Sequence, residues 1–291
     1  MLDFIVNPTA GGKNGKIIKH TVALIEERLK ARGVNYRLHI TLYKGHAKIL
    51  TQSLTTQGAT DIIVVGGDGT LHEVVNGFSC FDKVNLGLIP CGTGNDFASA
   101  VGIPLDPLRA LEIILSQTPK YVDFMQMGEV RGINIIGTGI DVDVLKRYNK
   151  LKKKNKFNYT WCLIKTLFNF DYVKFKARID DNEKDYHAFI ACIANGNVYG
   201  GGIPICPSAT PTDNQLNFVT VKAIPKIKII GAFIKLKKGK ILSYKKTEHF
   251  NCSSVEIATD KPCVVNVDGE LYDNAPFKVK IVKNTLRMYR K

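Results

Sequence analysis

The residues best placed to do chemistry lie in "DIIVVGGDGTL", residues 61–71, where an unbroken apolar run ends in three glycines around one carboxylate, Asp68. Glycine at the mouth of a strand lets backbone N–H groups approach anionic oxygens closely, and a helix that follows adds the positive end of its dipole. Residues 9–16 and 92–96 are glycine-rich too. One such loop is weak evidence, since tight strand-to-helix turns use glycine anyway. Three together describe a phosphate-binding arrangement.

Neither common phosphate motif is present. A Walker loop needs glycine five positions before Gly15, where Ala10 stands, and the later loops hold no G-x-G-x-x-G. His72 has no second histidine four residues on, so the zinc-protease helix is absent. A carboxylate where phosphates should go makes electrostatic sense with a cation between them. Mg²⁺ is that cation by default, because it takes carboxylate and phosphate oxygens together. Asp96 and Asp123 end neighbouring strand–loop units and are candidates to complete a Mg–water network. Helix capping is the rival account of Asp96, and a turn that of Asp123.

These loops need strands and helices to hold them. The first 120 residues alternate accordingly: "LDFIVN", "NYRLHITL", "DIIVV" and "NLGLIP" as strands, and "IIKHTVALIEERLKARG", "GHAKILTQSLTTQG", "LHEVVNGF" and "FASAVG" as helices. Strand, loop and helix in repetition argue for a parallel sheet with crossover helices. From about 124 the pattern changes to short runs such as "INIIGTGI", "VKFKARI", "HAFIACIANG", "LNFVTVKAI", "PCVVNVDGE" and "FKVKIV". Several alternate polar with apolar residues, as antiparallel strands with one wet face do. Residues 146–172 are the exception, a helical stretch that is basic and then aromatic. The expected division is an α/β domain over 1–123 and an antiparallel β domain over 124–291, with 282–291 a candidate to return to the first.

A length of 291 residues suits two domains, and 45% hydrophobic with 23% charged residues suits an ordinary globular protein. The net charge of +15 is unevenly spread. Residues 1–123 hold 12 Lys/Arg against 11 Asp/Glu, leaving 29 against 15 for the remainder. That surplus suits an anionic partner, nucleic acid or an acidic membrane surface. Seven cysteines without a C-x-x-C pair indicate neither a zinc ribbon nor a disulfide framework. No apolar run approaches the ~18 residues of a membrane span, so membrane contact is expected to be peripheral.

"GGDGTLHEVVNG" (66–77), "PCGTGNDFA" (90–98), "NPTAGG" (7–12) and "DGE" (268–270) together resemble the diacylglycerol kinase catalytic domain, especially the soluble bacterial lipid kinases of that group. The resemblance spans essentially the whole chain. It implies a three-layer nucleotide domain similar to that of NAD kinase and 6-phosphofructokinase, a C-terminal β-sandwich that takes the lipid, and the cofactors ATP and Mg²⁺. It implies nucleotide contacts at Asn7, Thr9, Lys13, Thr41, Gly66, Gly67, Asp68, Gly69, Thr70, Leu71, His72, Thr93, Gly94 and Asn95. Glu270 matches the family's proton acceptor. Thr210, Asp213 and Gln215 match a structural Mg²⁺ site built from one aspartate and two backbone carbonyls. Family members have Asp-Gly where this chain has Asp213-Asn214, and asparagine tolerates the left-handed conformation that glycine supplies. Without the resemblance, "VVNVDGELY" is a hairpin turn with a solvated glutamate. The proposed role is chemically reasonable, because phosphoryl transfer needs positioning, charge neutralisation and an acceptor for the hydroxyl proton.

The expected activity is therefore an ATP- and Mg²⁺-dependent lipid kinase, converting diacylglycerol to phosphatidic acid at the inner, cytoplasmic face of the membrane. Its rivals are a kinase for another hydroxylated lipid or for NAD, and a non-catalytic nucleotide- and membrane-binding protein. The basic stretches at 146–156 and 226–246 are ordinarily a solvated face. Near the first, however, Trp161, Leu163, Ile164, Leu167, Phe168 and Phe170 form an apolar set beside lysines, as in an interfacial helix on anionic lipid. Peripheral membrane binding is expected, nucleic acid is not, and a homodimer is left open.

Overall fold

Continuous apolar runs make strands buried on both faces, and four of them open the chain. They are β1 (Leu2–Val6), β2 (Tyr36–Ile40), β3 (Asp61–Gly66) and β4 (Asn85–Pro90), all parallel, in the order β2–β1–β3–β4. In this computed structural model, which describes residues 1–12, 15–151, 155–167, 169–260, 262–273 and 276–291, the chain divides into two units. Met1–Val122 with Lys283–Lys291 form one, and Asp123–Val282 the other.

In the first unit the strands alternate with α1 (Lys16–Ala31), α2 (His46–Thr56), α3 (Asp68–Val75), α4 (Asp96–Ala100) and α5 (Pro107–Ser116). Helix α1 buries Ile18, Thr21, Ile25 and Leu29, a single stripe at helical spacing. Helix α3 starts three residues before the apolar pattern of "LHEVV" suggests, because extended Gly67 is its N-cap and "DGT" is already helical. Helix α5 escaped the sequence reading although its start is well marked: Asp106 accepts a hydrogen bond from the Arg109 amide, and Pro107 holds the first position. The last strand, β15 (Phe277–Met288), ends beside β4, where Arg287 and Met288 pair in parallel with Asn85 and Leu86. The Tyr289 hydroxyl then donates to Asp61 at 2.6 Å.

The second unit is antiparallel. It contains β5 (Lys120–Met127), whose first residues belong to the first unit, then β6 (Val130–Gly132), β7 (Ile135–Gly139), β8 (Val173–Ile179), β9 (Asn182–Ala194), β10 (Leu216–Lys222), β11 (Thr247–Cys252), β12 (Ser254–Thr259), β13 (Val264–Val267) and β14 (Glu270–Asp273), with the start of β15. Strand β9 pairs with β8 through its first half, and with β7 and β10 through its second. Its side chains alternate. Ala191 and Ile193 enter a core between the strands with Ile136, Phe175, Phe218 and Val255. Ile190, Cys192 and Ala194 enter a second core beneath α6 (Ile140–Asn149), α7 (Lys156–Leu167) and α8 (Ile229–Lys237). The β-sandwich thus carries a helical cover on one face. The single helical stretch expected over 146–172 is the end of α6 and the whole of α7, and α8 was not expected.

Candidate active site

Parallel strands bring their carboxyl ends to one edge, so the loops after β1, β3 and β4 of the first unit meet there. The sheet ladder runs on into them: the Asn7 amide donates to Val65 O at 3.0 Å and the Cys91 amide to Gly66 O at 2.8 Å. Glycine is then a steric necessity. A Cβ on Gly92 would lie 2.4 Å from the Gly67 Cα, one on Gly67 would lie 2.7 Å from the Gly92 Cα, and one on Gly11 would meet Cys91 O at 2.8 Å. Side chains lock the junction. Asn7 Nδ2 donates to Thr70 Oγ1 at 2.9 Å, while Asn7 Oδ1 accepts from the Thr9 amide and hydroxyl at 3.0 and 2.9 Å. Asn95, left-handed at φ 55°, closes the third loop by accepting from the Gly92 amide and donating to its carbonyl.

Gly69 is different. It lies exposed in the first turn of α3, and a Cβ there would meet nothing within 4 Å. Glycine inside a helix costs about 1 kcal/mol against alanine, and no packing accounts for it here. A bare surface at a helix N-terminus is what a closely approaching phosphate requires.

Asp68 accepts hydrogen bonds from the Asp96 and Phe97 amides, at 3.2 Å each, and so caps α4 from another loop. A Cβ on Gly94 would lie 2.8 Å from Asp68 Oδ2 and 3.5 Å from Asp96 Oδ2, so both carboxylates flank that glycine. Helix capping, the rival account of Asp96, falls instead to Asp68. The all-oxygen donor set of Asp68 and Asp96 suits a hard cation. Among the described residues, no group of three or more His, Cys, Asp or Glu side chains is gathered closely enough to hold a metal. Thr41 is buried at the end of β2, its amide donating to Val6 O at 2.9 Å. Leu71 and His72 are buried on the inner face of α3 and present no exposed side chain. Thr93 is partly exposed on the third loop. Lys13 lies outside the described residues.

Asp123 belongs to the second unit. Its carboxylate accepts from the Asn214 amide at 2.8 Å, and its own amide donates to Pro211 O at 2.8 Å. It therefore braces the segment that carries Thr210, Asp213 and Gln215. There Asn214 is left-handed at φ 61°, the conformation that glycine would supply, and Asp213 Oδ1 accepts from the Gln215 amide at 3.0 Å. The Thr210 and Thr212 hydroxyls pair at 3.0 Å. Asn214 Oδ1 is buried without a hydrogen-bond partner. A carboxylate and a buried, unpartnered acceptor oxygen on adjacent residues are the kind of oxygen donors that Mg²⁺ takes.

Glu270 opens β14 after a two-residue turn, Asp268 and Gly269, both with positive φ, paired across the hairpin with Val267. Sequence reasoning treated this turn as plain, yet the structure ties it down from two sides. The Asp268 carboxylate accepts from the amides of Ile133, Asn134 and Ile135 at 2.8, 2.8 and 3.0 Å. The Gly269 amide donates to Asn266 Oδ1 at 2.8 Å, and Asn266 Nδ2 donates to Asp141 Oδ2 at 2.9 Å. Asp141 is fully buried at the start of α6, and burial pushes its carboxyl up to about 6 against the hydrogen bond from Asn266 that pulls it down. The helical reading began only at residue 146, six residues after α6 starts, so nothing in the sequence marked Asp141 for this relay.

The sequence profile of the diacylglycerol kinase catalytic domain matches residues 2–127, and that of the YegS C-terminal NAD kinase beta sandwich-like domain matches residues 134–290. The chain belongs to the diacylglycerol kinase-like lipid kinases. This lipid kinase is 27% identical to "Putative lipid kinase YtlR" of Bacillus subtilis (strain 168) over 98% of each chain. It is 26% identical to "Diacylglycerol kinase" of Mycobacterium tuberculosis over 98% of this chain and 94% of that one. The crystal structure of "a putative diacylglycerol kinase" from Bacillus anthracis superposes with a TM-score of 0.83 at 25% identity, covering 100% of this chain and 96% of that one. An Archaeoglobus fulgidus NAD kinase in complex with ATP shares the fold at a TM-score of 0.55 and 15% identity.

The Asp141 relay of this lipid kinase has a testable pH signature. Its folded pKa, about 6, lies above the ordinary 3.8, so the folded state holds the proton more tightly. The stability this contributes is fully present below pH ~4 and is lost as pH rises through ~6, a difference of about 3 kcal/mol. Asp141→Asn does not titrate, so its stability relative to the wild type should rise between pH ~4 and ~7. Parallel urea-unfolding free energies for the two proteins at both pH values would contradict the assignment.

Proposed function

We propose that this lipid kinase transfers the γ-phosphoryl group of ATP to the hydroxyl of a diacylglycerol, giving phosphatidic acid, with Mg²⁺ as cofactor. The observation that carries the reading is Gly69, bare for no packing reason where three glycine loops converge. In this reading the loop amides at 66–70 and 92–95, with Asn7, Thr9 and Thr41, hold the nucleotide. Asp68, with Asp96 beside it, holds Mg²⁺. Mg²⁺ when bound neutralises phosphate charge and orients the phosphates. Glu270 takes the proton from the lipid hydroxyl, and the Asp141–Asn266 relay with Asp268 fixes the backbone that presents it. Thr210, Asp213 and Gln215 hold the second, structural Mg²⁺.

A lipid, rather than NAD, is supported by the names of the relatives. We further infer peripheral contact with an anionic membrane, at the inner face. Among the described residues no helix is long and apolar enough to cross a membrane. Helices α6 and α7 flank a groove of about 630 Å³ lined by Lys146, Arg147, Lys150, Lys165 and Trp161 with Asp143 and Asp171. On α7, Phe157 and Trp161 are 78% and 50% exposed. Of the apolar set named for this contact, Leu163, Leu167 and Phe170 are core residues, and Phe168 lies outside the described residues.

Radiolabelled ATP, offered with a panel of lipids in anionic mixed micelles and with NAD as a control, tests the activity. Label should enter diacylglycerol; label in NAD alone overturns the lipid substrate, and no label favours a non-catalytic protein.

Separate variants divide the roles. Glu270→Gln keeps shape and hydrogen bonding but deletes the proton acceptor, so kcat should fall roughly 10² to 10⁴-fold with ATP binding hardly changed. Asp68→Asn should instead alter the Mg²⁺ dependence. If Glu270→Gln shifts the Mg²⁺ requirement and Asp68→Asn does not, the two roles are reversed.

The structural metal has its own readout. Mg²⁺ should raise the wild-type Tm relative to chelator and leave that of Asp213→Ala unmoved. Equal wild-type melting in both conditions would remove the site.

A further inference from the structure

Helix α8 has two apolar stripes, and packing explains only one. Ile229, Ala232 and Leu236 point inward and join the core beneath the helices. The cavity left there, shared with Leu163 and Leu167 of α7, is about 30 Å³, room for no more than a water or two. The inward face is therefore satisfied. Ile227, in the 3-10 turn that leads into α8, and Ile230 and Ile234 on α8 repeat the same three- and four-residue spacing on the outer side, where they are 85%, 51% and 48% exposed. Single exposed isoleucines are ordinary, but a row of three along a helix and the turn that leads into it is a patch that calls for an apolar partner.

The surrounding charge identifies that partner. From Pro225 to Thr247 the chain has eight lysines and no acidic residue. None of these lysines whose side chain is described forms an ion pair. A second copy seated on this face would use the same patch twice, as a two-fold interface does, and would set lysines against lysines. Nucleic acid would meet the lysines but leave the isoleucines in water. An anionic bilayer satisfies both, since the acyl boundary takes the apolar stripe and the headgroups take the ammonium groups.

We propose that α8, with the 3-10 turn that leads into it, is a membrane-docking element, seating Ile227, Ile230 and Ile234 at the acyl boundary of an anionic bilayer within a collar of lysines. The inference deepens the proposed function and rests on a lipid substrate that is presented in a bilayer. The phosphate chemistry of the first unit plays no part in it.

The test is co-sedimentation of the full chain with vesicles of phosphatidylcholine alone, or of phosphatidylcholine and phosphatidylglycerol in equal parts. Wild type should bind the anionic vesicles, lose that binding as salt is raised, and ignore the neutral ones. Ile230→Ser with Ile234→Ser keeps the net charge and should weaken the partition roughly tenfold; Ile230→Glu with Ile234→Glu should weaken it further, since each unit of charge is worth about fivefold. Ile230→Leu with Ile234→Leu should bind as wild type. Both positions are exposed, so unchanged Tm in each variant verifies the fold. Phosphorylation of a monomeric, short-chain diacylglycerol should be the same in all four proteins. Wild-type vesicle binding by the Glu variant overturns the proposal, as does its conversion of a wild-type dimer to a monomer in sedimentation velocity. Loss of binding in a protein that phosphorylates no lipid would sink the proposed function and leave the docking helix standing.

Discussion

The contact between Gly67 and Gly92 is the constraint on which the first unit's chemistry rests. Two strand-end loops meet backbone to backbone, and a single added carbon on either glycine would fall within 2.7 Å of the other's Cα. Core packing cannot absorb such an overlap by flexing a side chain, because both partners are main chain. The reward for this closeness is positional. The amides that begin α3 and α4 are brought beside one another, and Asp68 can span from the first to the second. Gly11 against Cys91 O draws the first loop into the same cluster.

Carboxylates do much of the loop-holding throughout the chain. Asp268 collects three consecutive amides, Asp123 holds Asn214, Asp180 accepts from Ser253 and Ser254, and Asp68 caps a helix that is not its own. An ionised carboxylate that accepts several N–H bonds is a strong clamp. Asp141 is the expensive instance. It is fully buried, and charging it at neutral pH works against stability. Its retention is understandable if the order it imposes through Asn266 on the turn before Glu270 matters more than the energy it costs.

This economy also explains what could and could not be read from the sequence. The parallel sheet and the three glycine loops were legible, because apolar runs and glycine at turns act over a few residues, while the left-handed Asn214 was expected only through the resemblance, which places Asp-Gly there. Asp123 looked like the end of another strand–loop unit, but its partner is 91 residues away in sequence. Asp268 looked like a plain turn residue and Asp141 was not singled out for the same reason: their partners are 135 and 125 residues distant. Helix α8 was hidden differently. With isoleucines on both faces and lysines between, it has neither the one-sided apolar stripe of a surface helix nor the length of a membrane span. Within α7, pattern alone did not separate Leu163 and Leu167, which face the core, from Trp161, which does not.

The two halves of the chain attract anions by different physics. Residues 1–123 are close to electrically balanced, with 12 basic against 11 acidic side chains. Any hold on phosphate there comes from fixed amides and helix ends, which act over one turn and carry no long-range field. The remainder, with 29 against 15, has the long-range field but spreads it over flexible lysines that salt screens within about 10 Å. A site of fixed dipoles therefore responds to geometry, and a lysine surface responds to ionic strength. Under the proposed function, in which the nucleotide is dissolved and the lipid lies in a charged sheet, that division is physically apt. On that proposal the short-range device distinguishes one phosphate arrangement from another, while the long-range device draws the protein to a surface without requiring any single headgroup to be recognised.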